Sequence, residues 1–288
     1  MGNMARHAAK AVRRRARAIG LSCALAFLGL ARPAAAADIP AAAADIPAAP
    51  PEPPVSTVAW EYQLSLYGWA TSLTGDIGVR NLPTTAIDIP FSQVLKDLNG
   101  AFMGSLLASN DRWLLLADVV FARLSETRAV STFGGSELDA EVTQAIATGA
   151  IGYRLPTGRP DFDFAITGGA RYMSVKGTLS FTPVASPIGI SASQRQWWID
   201  PTVGFFAHWE LNDKWFVNAI ADIGGFGVGS RLSSTGYAGV GYMWTTSFST
   251  ALGYRYLYED YEGEGAKTGT FRYNTTMHGP VVALAWRF

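Results

Sequence analysis

The sequence predicts an all-β protein, a transmembrane up-and-down antiparallel β-barrel of about ten strands. About eight or about twelve strands are the alternatives that uncertain strand boundaries leave open. The 288-residue chain is 49% hydrophobic but only 16% charged, as expected of a protein with a large apolar surface. From residue 58 onward, apolar and polar side chains alternate with a period of two, which indicates half-buried strands. The connections between these strands alternate between short turns and longer loops, as in outer-membrane barrels.

The first 37 residues have the composition of a cleavable secretory signal peptide. A basic region at 6–17 precedes the apolar stretch 19–31 and the small residues at 34–37. This apolar stretch is shorter than the ~20 residues that a membrane-spanning helix needs. Residues 38–57 repeat an Ala-Asp-Ile-Pro motif and then become proline-rich, which predicts a disordered linker. We expect cleavage after Ala37 or Ala44 and a barrel over residues 58–288.

Removal of the signal region changes the charge balance of the protein. The precursor has 23 basic and 23 acidic residues, and seven of the basic residues lie within residues 1–37. The exported chain is therefore acidic, which argues against a nucleic-acid partner. The single cysteine, Cys23, lies in the same region, so the exported protein is expected to contain no disulfide.

The connections between strands are predicted from their turn residues and from breaks in the alternation. Short turns are predicted at 110–111, 156–160, 212–213 and 245–247, and longer loops at 71–98, 125–140, 177–193, 224–233 and 262–270. A short helix is predicted near 89–98, either capping the mouth of the barrel or folding into its lumen. The glycines at 224–229, 239 and 241 are interpreted as tight turns and as bends of barrel strands.

Aromatic residues gather near the short turns and at both ends of the predicted barrel. Aromatic side chains at one depth form the interfacial girdle of a membrane barrel. An even number of strands places both chain ends on this side, which is periplasmic in such barrels. The predicted periplasmic girdle consists of Trp60, Trp113, Trp209, Trp215, Trp244, Trp286 and Phe288.

The last strand carries a resemblance to a known class of proteins. Val282, Leu284, Trp286 and Phe288 share one face, and the chain ends on this phenylalanine. Such a strand resembles the last strand of bacterial outer-membrane barrels. Together with 222–230 and 251–256, it is similar to small, mostly uncharacterised proteobacterial outer-membrane proteins, loosely of the OmpA or OmpW barrel type. The resemblance covers 59–288. It implies an outer-membrane location, contact with outer-membrane lipid and lipopolysaccharide, and recognition of the C-terminal strand by the barrel-assembly machinery, but no particular oligomeric state.

Charged residues on the other face of the strands are predicted to point into the lumen. Acidic and basic residues are mixed there, in the set Asp118, Arg171, Asp200, Asp222, Arg255 and Glu259. Side chains fill the interior of a barrel of ~8 strands, and an unpaired charge there is costly. We therefore favour a charge-plugged lumen in a non-enzymatic protein with a structural or surface-interaction role. A small passive pore for ions or small solutes is the alternative.

An outer-membrane lipid hydrolase or protease is a third, minor hypothesis. Beyond the signal region the histidines are His208 and His278. His208 lies beside the short turn at 212–213, on the wrong side for surface substrates. No Ser, Asp or Asn has a spacing that would activate His278 as a base, and the alternation points His278 toward lipid. No histidine pair has the spacing of metal ligands. We therefore expect no enzymatic activity, no metal and no cofactor.

Overall fold

The computed structural model of the protein describes residues 59–79, 84–130, 136–182, 190–265 and 269–288. These residues belong to one compact unit, Ser56–Phe288. The predicted signal peptide at 1–37 and the predicted linker at 38–57 lie outside the described residues. Among the described residues, no helix is both long and apolar enough to cross a membrane.

The described residues form twelve strands and one short helix. The strands are β1 Glu61–Trp69, β2 Ser72–Val79, β3 Thr85–Ile89, β4 Leu98–Ser109, β5 Trp113–Val130, β6 Ser136–Leu155, β7 Phe162–Thr182, β8 Ile190–Glu210, β9 Trp215–Gly225, β10 Leu232–Met243, β11 Phe248–Gly265 and β12 Gly269–Arg287. The helix, α1 Phe91–Asp97, lies between β3 and β4.

These strands form a single antiparallel sheet that closes on itself. Strands β4 to β12 each pair with the next strand along the chain, and β1 pairs with both β4 and β12. The result is an up-and-down barrel of ten strands, to which β2 and β3 are added. The predicted fold class and strand number are therefore confirmed. Closure satisfies the backbone polar groups that an open sheet edge would expose to lipid.

The two added strands continue the wall beyond a break in the first strand. β1 pairs with the end of β12 up to Val281, and β2 resumes pairing with β12 at His278. Ala70 lies at the break, where its N–H donates to the carbonyl of Pro280 at 2.9 Å. Within the described residues, β3 pairs with β2 but not with β4. The helix α1 lies beside this interruption of the wall, because the N–H of Phe91 donates to Ser72 Oγ at 3.1 Å.

Several predicted loops are in fact extensions of the strands. β5 continues to Val130, and β6 begins at Ser136. In the same way, β7 continues to Thr182 and β8 begins at Ile190, while β11 continues to Gly265 and β12 begins at Gly269. The predicted loops at 125–140, 177–193 and 262–270 were therefore wrong over most of their length. On the loop side, beyond the part of the barrel that faces lipid, both faces of a strand contact water. The alternation of apolar and polar residues that marks a strand therefore fades there.

The short helix predicted near 89–98 is confirmed as α1. None of its residues is buried. Because a helix inside a packed barrel would bury one face, α1 belongs to the wall and does not fold into the lumen.

Buried side chains form two apolar clusters inside the barrel. A buried apolar cluster comprises Trp69, Val120, Ile146, Met173, Trp198, Leu257, Phe271, Tyr273, Met277 and Val281. A smaller cluster of Leu114, Ala165 and Phe206 lies nearer the short turns. The outer face is also apolar, and Val203 and Leu252, for example, are 54% and 63% exposed there. An apolar face on the outside of a filled barrel is what a strand wall facing lipid requires.

Candidate functional site

Arg171, in the middle of β7, is completely buried inside the barrel. Its Nη2 donates to both carboxylate oxygens of Asp222 at 2.7 Å, and its Nη1 donates to Ser233 Oγ. Ser233 Oγ donates in turn to Glu259 Oε1 at 2.7 Å, and this oxygen lies 3.8 Å from the Arg171 guanidinium. One guanidinium therefore faces two carboxylates, and the group joins β7 to β9, β10 and β11. Buried charges persist only when they are paired in this way.

A second polar group connects β11 with β5 and β1. Arg255 Nη2 donates to Asp118 Oδ1 at 2.8 Å, and its Nη1 donates to Tyr67 Oη at 2.8 Å. Tyr67 Oη donates to Asp118 Oδ2 at 2.6 Å. The Arg255 guanidinium also lies 5.0 Å from the centre of the Trp69 ring, within range of a cation–π interaction. Because β12, β1 and β4 separate β11 from β5 around the ring, this group spans the lumen.

A third set of contacts crosses the lumen on its loop side. Gln144 Nε2 on β6 donates to Tyr273 Oη on β12 at 3.2 Å. The rings of Trp198 and Tyr261 stack with centres 4.0 Å apart and planes 9° apart. Trp198 also packs on Tyr273, with ring centres 5.8 Å apart. Aromatic faces therefore meet inside the lumen between β8, β11 and β12.

Asp200 holds a turn in place. β9 pairs with β8 only as far as Thr202, so the turn at 226–231, rather than a strand, lies beside Asp200. The carboxylate of Asp200 accepts the N–H of Ser230 at 2.6 Å and its Oγ–H at 2.9 Å. Gly229 permits the close approach, because a Cβ there would lie 2.4 Å from the carbonyl oxygen of Ile199. Asp200 therefore fixes the turn against the edge of β8.

The residues predicted to form the periplasmic girdle lie on the outer face beside the short turns. The exposed fractions of Trp60, Trp113, Trp209, Trp215, Trp244, Trp286 and Phe288 range from 38% to 74%. Neighbouring strands bring several of them onto other rings. Trp113 packs edge-on against Tyr153 at 5.2 Å between ring centres, and Phe288 stacks on Tyr62 at 5.9 Å. These contacts join aromatic side chains of neighbouring strands on the short-turn side of the barrel.

One short turn is tied to this ring by an ion pair. Arg159 donates to both carboxylate oxygens of Asp161, at 3.1 and 2.6 Å, and Trp209 Nε1 donates to the same carboxylate at 3.1 Å. The hydrogen bond from Arg159 lowers the pKa of Asp161 to about 2. The ion pair is exposed to solvent and contributes little to stability, and its carboxylate also holds the Trp209 indole by a hydrogen bond.

A second set of outward-facing aromatic residues was not predicted. Tyr172 and Trp197 lie 6.4 Å apart between ring centres, and Tyr254 Oη lies 2.8 Å from His278 Nδ1. Tyr172 follows Phe162 by about ten residues on the same face, which is roughly 33 Å along a strand. With strands tilted by about 40°, Phe162 and Tyr172 bound an apolar band about 25 Å tall on β7. The signal was in the sequence, because Tyr172, Trp197 and Tyr254 share the parity of the aromatic residues near the short turns on their own strands, Phe162, Trp209 and Phe248.

The two histidines of the described residues lie on opposite sides of the wall. His208 faces inward near a short turn, where its Nδ1 lies 2.6 Å from Asn218 Oδ1. His278 faces outward and contacts Tyr254. In the part of the chain that the structure describes, no three His, Cys, Asp or Glu side chains are grouped as metal ligands would be.

Comparison with known proteins reveals similarity in fold. No family model matches the chain, and no curated protein matches it in sequence. The outer-membrane protease OmpT from Escherichia coli superposes with a TM-score of 0.51 at 9% identity, over 81% of this chain and 98% of that one. The translocator domain of the autotransporter NalP from Neisseria meningitidis has a TM-score of 0.42 at 13% identity, over 81% and 90% of the two chains. Ail, the attachment invasion locus protein of Yersinia pestis, has a TM-score of 0.33 at 11% identity, over 80% and 98%.

The chain therefore has the fold of the small bacterial outer-membrane β-barrel proteins. At these identities the similarity establishes the fold and nothing about activity.

Proposed function

We propose that the protein is an integral outer-membrane β-barrel with a closed lumen, and that its role is structural or in surface interactions. The observation that carries the proposal is the set of contacts across the lumen. Arg255 reaches Asp118, Trp198 reaches Tyr261 and Tyr273, and Arg171 lies between the carboxylates of two other strands. A water-filled channel would leave such groups hydrated, whereas here they pair with one another.

The outer-membrane location is supported by the fold and by the apolar band that lies between the aromatic residues near the short turns and the second set of outward-facing aromatic residues. Its height matches the hydrocarbon region that outer-membrane barrels span. The partners we propose are the surrounding lipid and lipopolysaccharide, and the barrel-assembly machinery acting on β12, which is followed by Phe288.

In fractionated cells we expect the protein in the outer membrane, as a band whose gel mobility changes on heating. Removal of a signal peptide should leave a chain that starts at residue 38 or 45, and N-terminal sequencing distinguishes the two. A soluble periplasmic protein with no heat-dependent shift would contradict membrane insertion. A chain that retains residue 1 would contradict cleavage.

A small passive pore is the second candidate, and a cavity of about 150 Å³ in the short-turn half of the lumen is the observation that favours it. For this cavity to become part of a channel, the Tyr67–Asp118–Arg255 group and the Trp198 stack above it would have to separate. The closed barrel and the pore therefore differ in a property that can be measured.

In planar lipid bilayers, we expect the purified wild-type protein to show no regular conductance steps. Two adjacent tryptophans provide a matched pair of variants, because Trp198 is 3% exposed inside the barrel and Trp197 is 59% exposed outside it. Trp198→Ala removes the stack and, combined with Arg255→Ala, which removes the polar group below it, should produce openings, whereas Trp197→Ala combined with Arg255→Ala should remain silent. Regular steps from the wild type would support the pore instead.

Non-enzymatic function is also part of the proposal. OmpT is a protease, but a shared fold at 9% identity does not transfer that activity to this chain. The support within this chain is the position of His208 and His278, which contact an amide and a phenol on opposite faces of the wall.

A further inference from the structure

The cavity in the short-turn half of the lumen lies directly below the Tyr67–Asp118–Arg255 group. Its volume is about 150 Å³. Small side chains on β11 and β12, Ala251, Ala283 and Ala285, form one side. Larger apolar side chains form the other sides, among them Leu116, Phe206 and Ile220. The lower lumen is therefore a largely apolar chamber closed by charged groups at one end.

Three glycines hold two aromatic rings flat against the wall of this chamber. A Cβ at Gly239 would lie 2.3 Å from Tyr237 Oη, and one at Gly253 would lie 2.6 Å from the Tyr237 ring. A Cβ at Gly241 would lie 2.0 Å from the Phe216 ring. The Tyr237 ring occupies the space that side chains at 239 and 253 would take, and the Phe216 ring occupies the space that a side chain at 241 would take. Tyr237 and Phe216 thus line the cavity without filling it.

The charged end of the cavity contains polar atoms with no partner. Thr148 Oγ1 and Arg171 Nε are buried and have no hydrogen-bond partner within the described part of the chain, although Arg171 is completely buried. Both side chains line the cavity, and so does Tyr237. Unpaired buried polar groups are rare in folded proteins and call for an explanation.

The charges around the cavity are balanced. Arg255 is paired with Asp118, and Arg171 is paired with Asp222. A charged ligand would therefore have to displace an existing partner of one of these groups. A neutral ligand with one hydrogen-bonding group would leave both pairs intact.

We propose that this cavity is a binding site for a small neutral molecule that combines a six-membered ring with one hydroxyl group. Apolar cavities of roughly 150 Å³ accept benzene-sized molecules. The ring would pack against the exposed faces of Tyr237 and Phe216, because aromatic faces favour such contacts. The hydroxyl would reach Tyr237 Oη or Thr148 Oγ1. Ligand pockets are commonly apolar chambers with a few convergent polar groups. The site goes beyond the proposed function and does not depend on whether the barrel conducts.

The probe for the test is 4-fluorobenzyl alcohol, observed by ¹⁹F NMR with the purified full chain in detergent micelles. We expect saturable binding to the wild type and weaker binding of the anionic comparator 4-fluorobenzoate. Ala283→Met fills the cavity and should abolish binding. Tyr237→Phe keeps the ring and removes only the hydroxyl, so it should weaken binding by about 2- to 10-fold.

Ala219→Met is the matched control for the filling variant. Ala219 lies on β9 with the opposite parity to the cavity-lining residues Asn218 and Ile220, so it faces outward. This variant should bind as the wild type does. Folding of each variant is verified by its heat-dependent gel shift, and the nearly isosteric variants Tyr237→Phe and Thr148→Val keep the test decisive if Ala283→Met does not fold.

Partition of the probe that does not saturate and is equal in every protein tested would overturn the proposal. Undiminished binding to folded Ala283→Met would place the probe elsewhere and overturn it equally. Preference for 4-fluorobenzoate would contradict the neutral ligand class. Wild-type affinity in both Tyr237→Phe and Thr148→Val would leave the ligand hydroxyl with neither of its proposed partners and overturn the ligand class.

Discussion

Replacement of Arg171 by Met should lower the free energy of unfolding of the barrel by about 3–5 kcal/mol, because it leaves buried carboxylates without their cation. Asp222 would lose both of its guanidinium hydrogen bonds, and Glu259 would lose the positive charge that lies 3.8 Å away. Methionine retains the aliphatic part of the side chain, so the loss is mainly electrostatic. Denaturant unfolding in lipid vesicles, followed by tryptophan fluorescence, measures the change.

The control for this variant is Arg159→Met, which removes an arginine from an ion pair of similar geometry. Arg159 contacts Asp161 at 2.6 Å, but its side chain is 57% exposed. Exposed ion pairs contribute little to stability, so unfolding should be nearly unchanged. Neutralising both acids in addition, in Arg171→Met with Asp222→Asn and Glu259→Gln, should restore much of the lost stability. Equal effects of Arg171→Met and Arg159→Met would contradict the role assigned to the buried group.

Parity along the strands predicts which charges face inward but not which of them meet. Asp118, Arg171 and Arg255 were assigned to the lumen because they oppose apolar neighbours on their own strands. The contact between Arg255 and Asp118 joins residues 137 positions apart. It depends on the number of strands and on their relative stagger around the closed ring. A period-two pattern carries neither quantity, so the pairing became visible only in the closed barrel.

The case of Asp200 illustrates the same limit in a different way. Its parity places it inside, as for the other lumen charges, but its partner is Ser230 in a turn. β9 and β10 are shorter than their neighbours, and this difference leaves the edge of β8 next to that turn. The sequence pattern does not reveal how far a strand extends beyond the part of the barrel that faces lipid, because both faces of the strand contact water there.

Two glycines of β10 were noticed in the sequence, but their role was only partly predicted. Gly239 and Gly241 were interpreted as bends of the strands. In the structure they accommodate the rings of Tyr237 and Phe216. A glycine next to an aromatic residue on the same face is compatible with either role, and only the three-dimensional position of the ring distinguishes them. The cavity follows from this packing, so it could not be predicted from the pattern.

Gly279→Ala should destabilise the barrel by about 3 kcal/mol, at the upper end of the range for overpacking. Gly279 lies where β12 changes from pairing with β1 to pairing with β2, and a Cβ there would lie 1.8 Å from the carbonyl oxygen of Ala70. The atom in the way belongs to the backbone, so no change of rotamer relieves the contact. The strands must separate, which endangers the hydrogen bond from the Ala70 N–H to the Pro280 carbonyl at 2.9 Å.

Gly177→Ala is the matched control for this variant, because Gly177 also lies within a long strand, β7, and a Cβ there would meet no atom within 4 Å. The two variants add the same methyl group, but only Gly279→Ala places it where β12 passes from pairing with β1 to pairing with β2. We therefore expect Gly279→Ala to lower the denaturant midpoint and the yield of the heat-modifiable form, while Gly177→Ala matches the wild type. If both variants behaved alike, this part of the wall would tolerate a side chain at 279. The close approach of β12 to Ala70 would then not be required for the barrel to close.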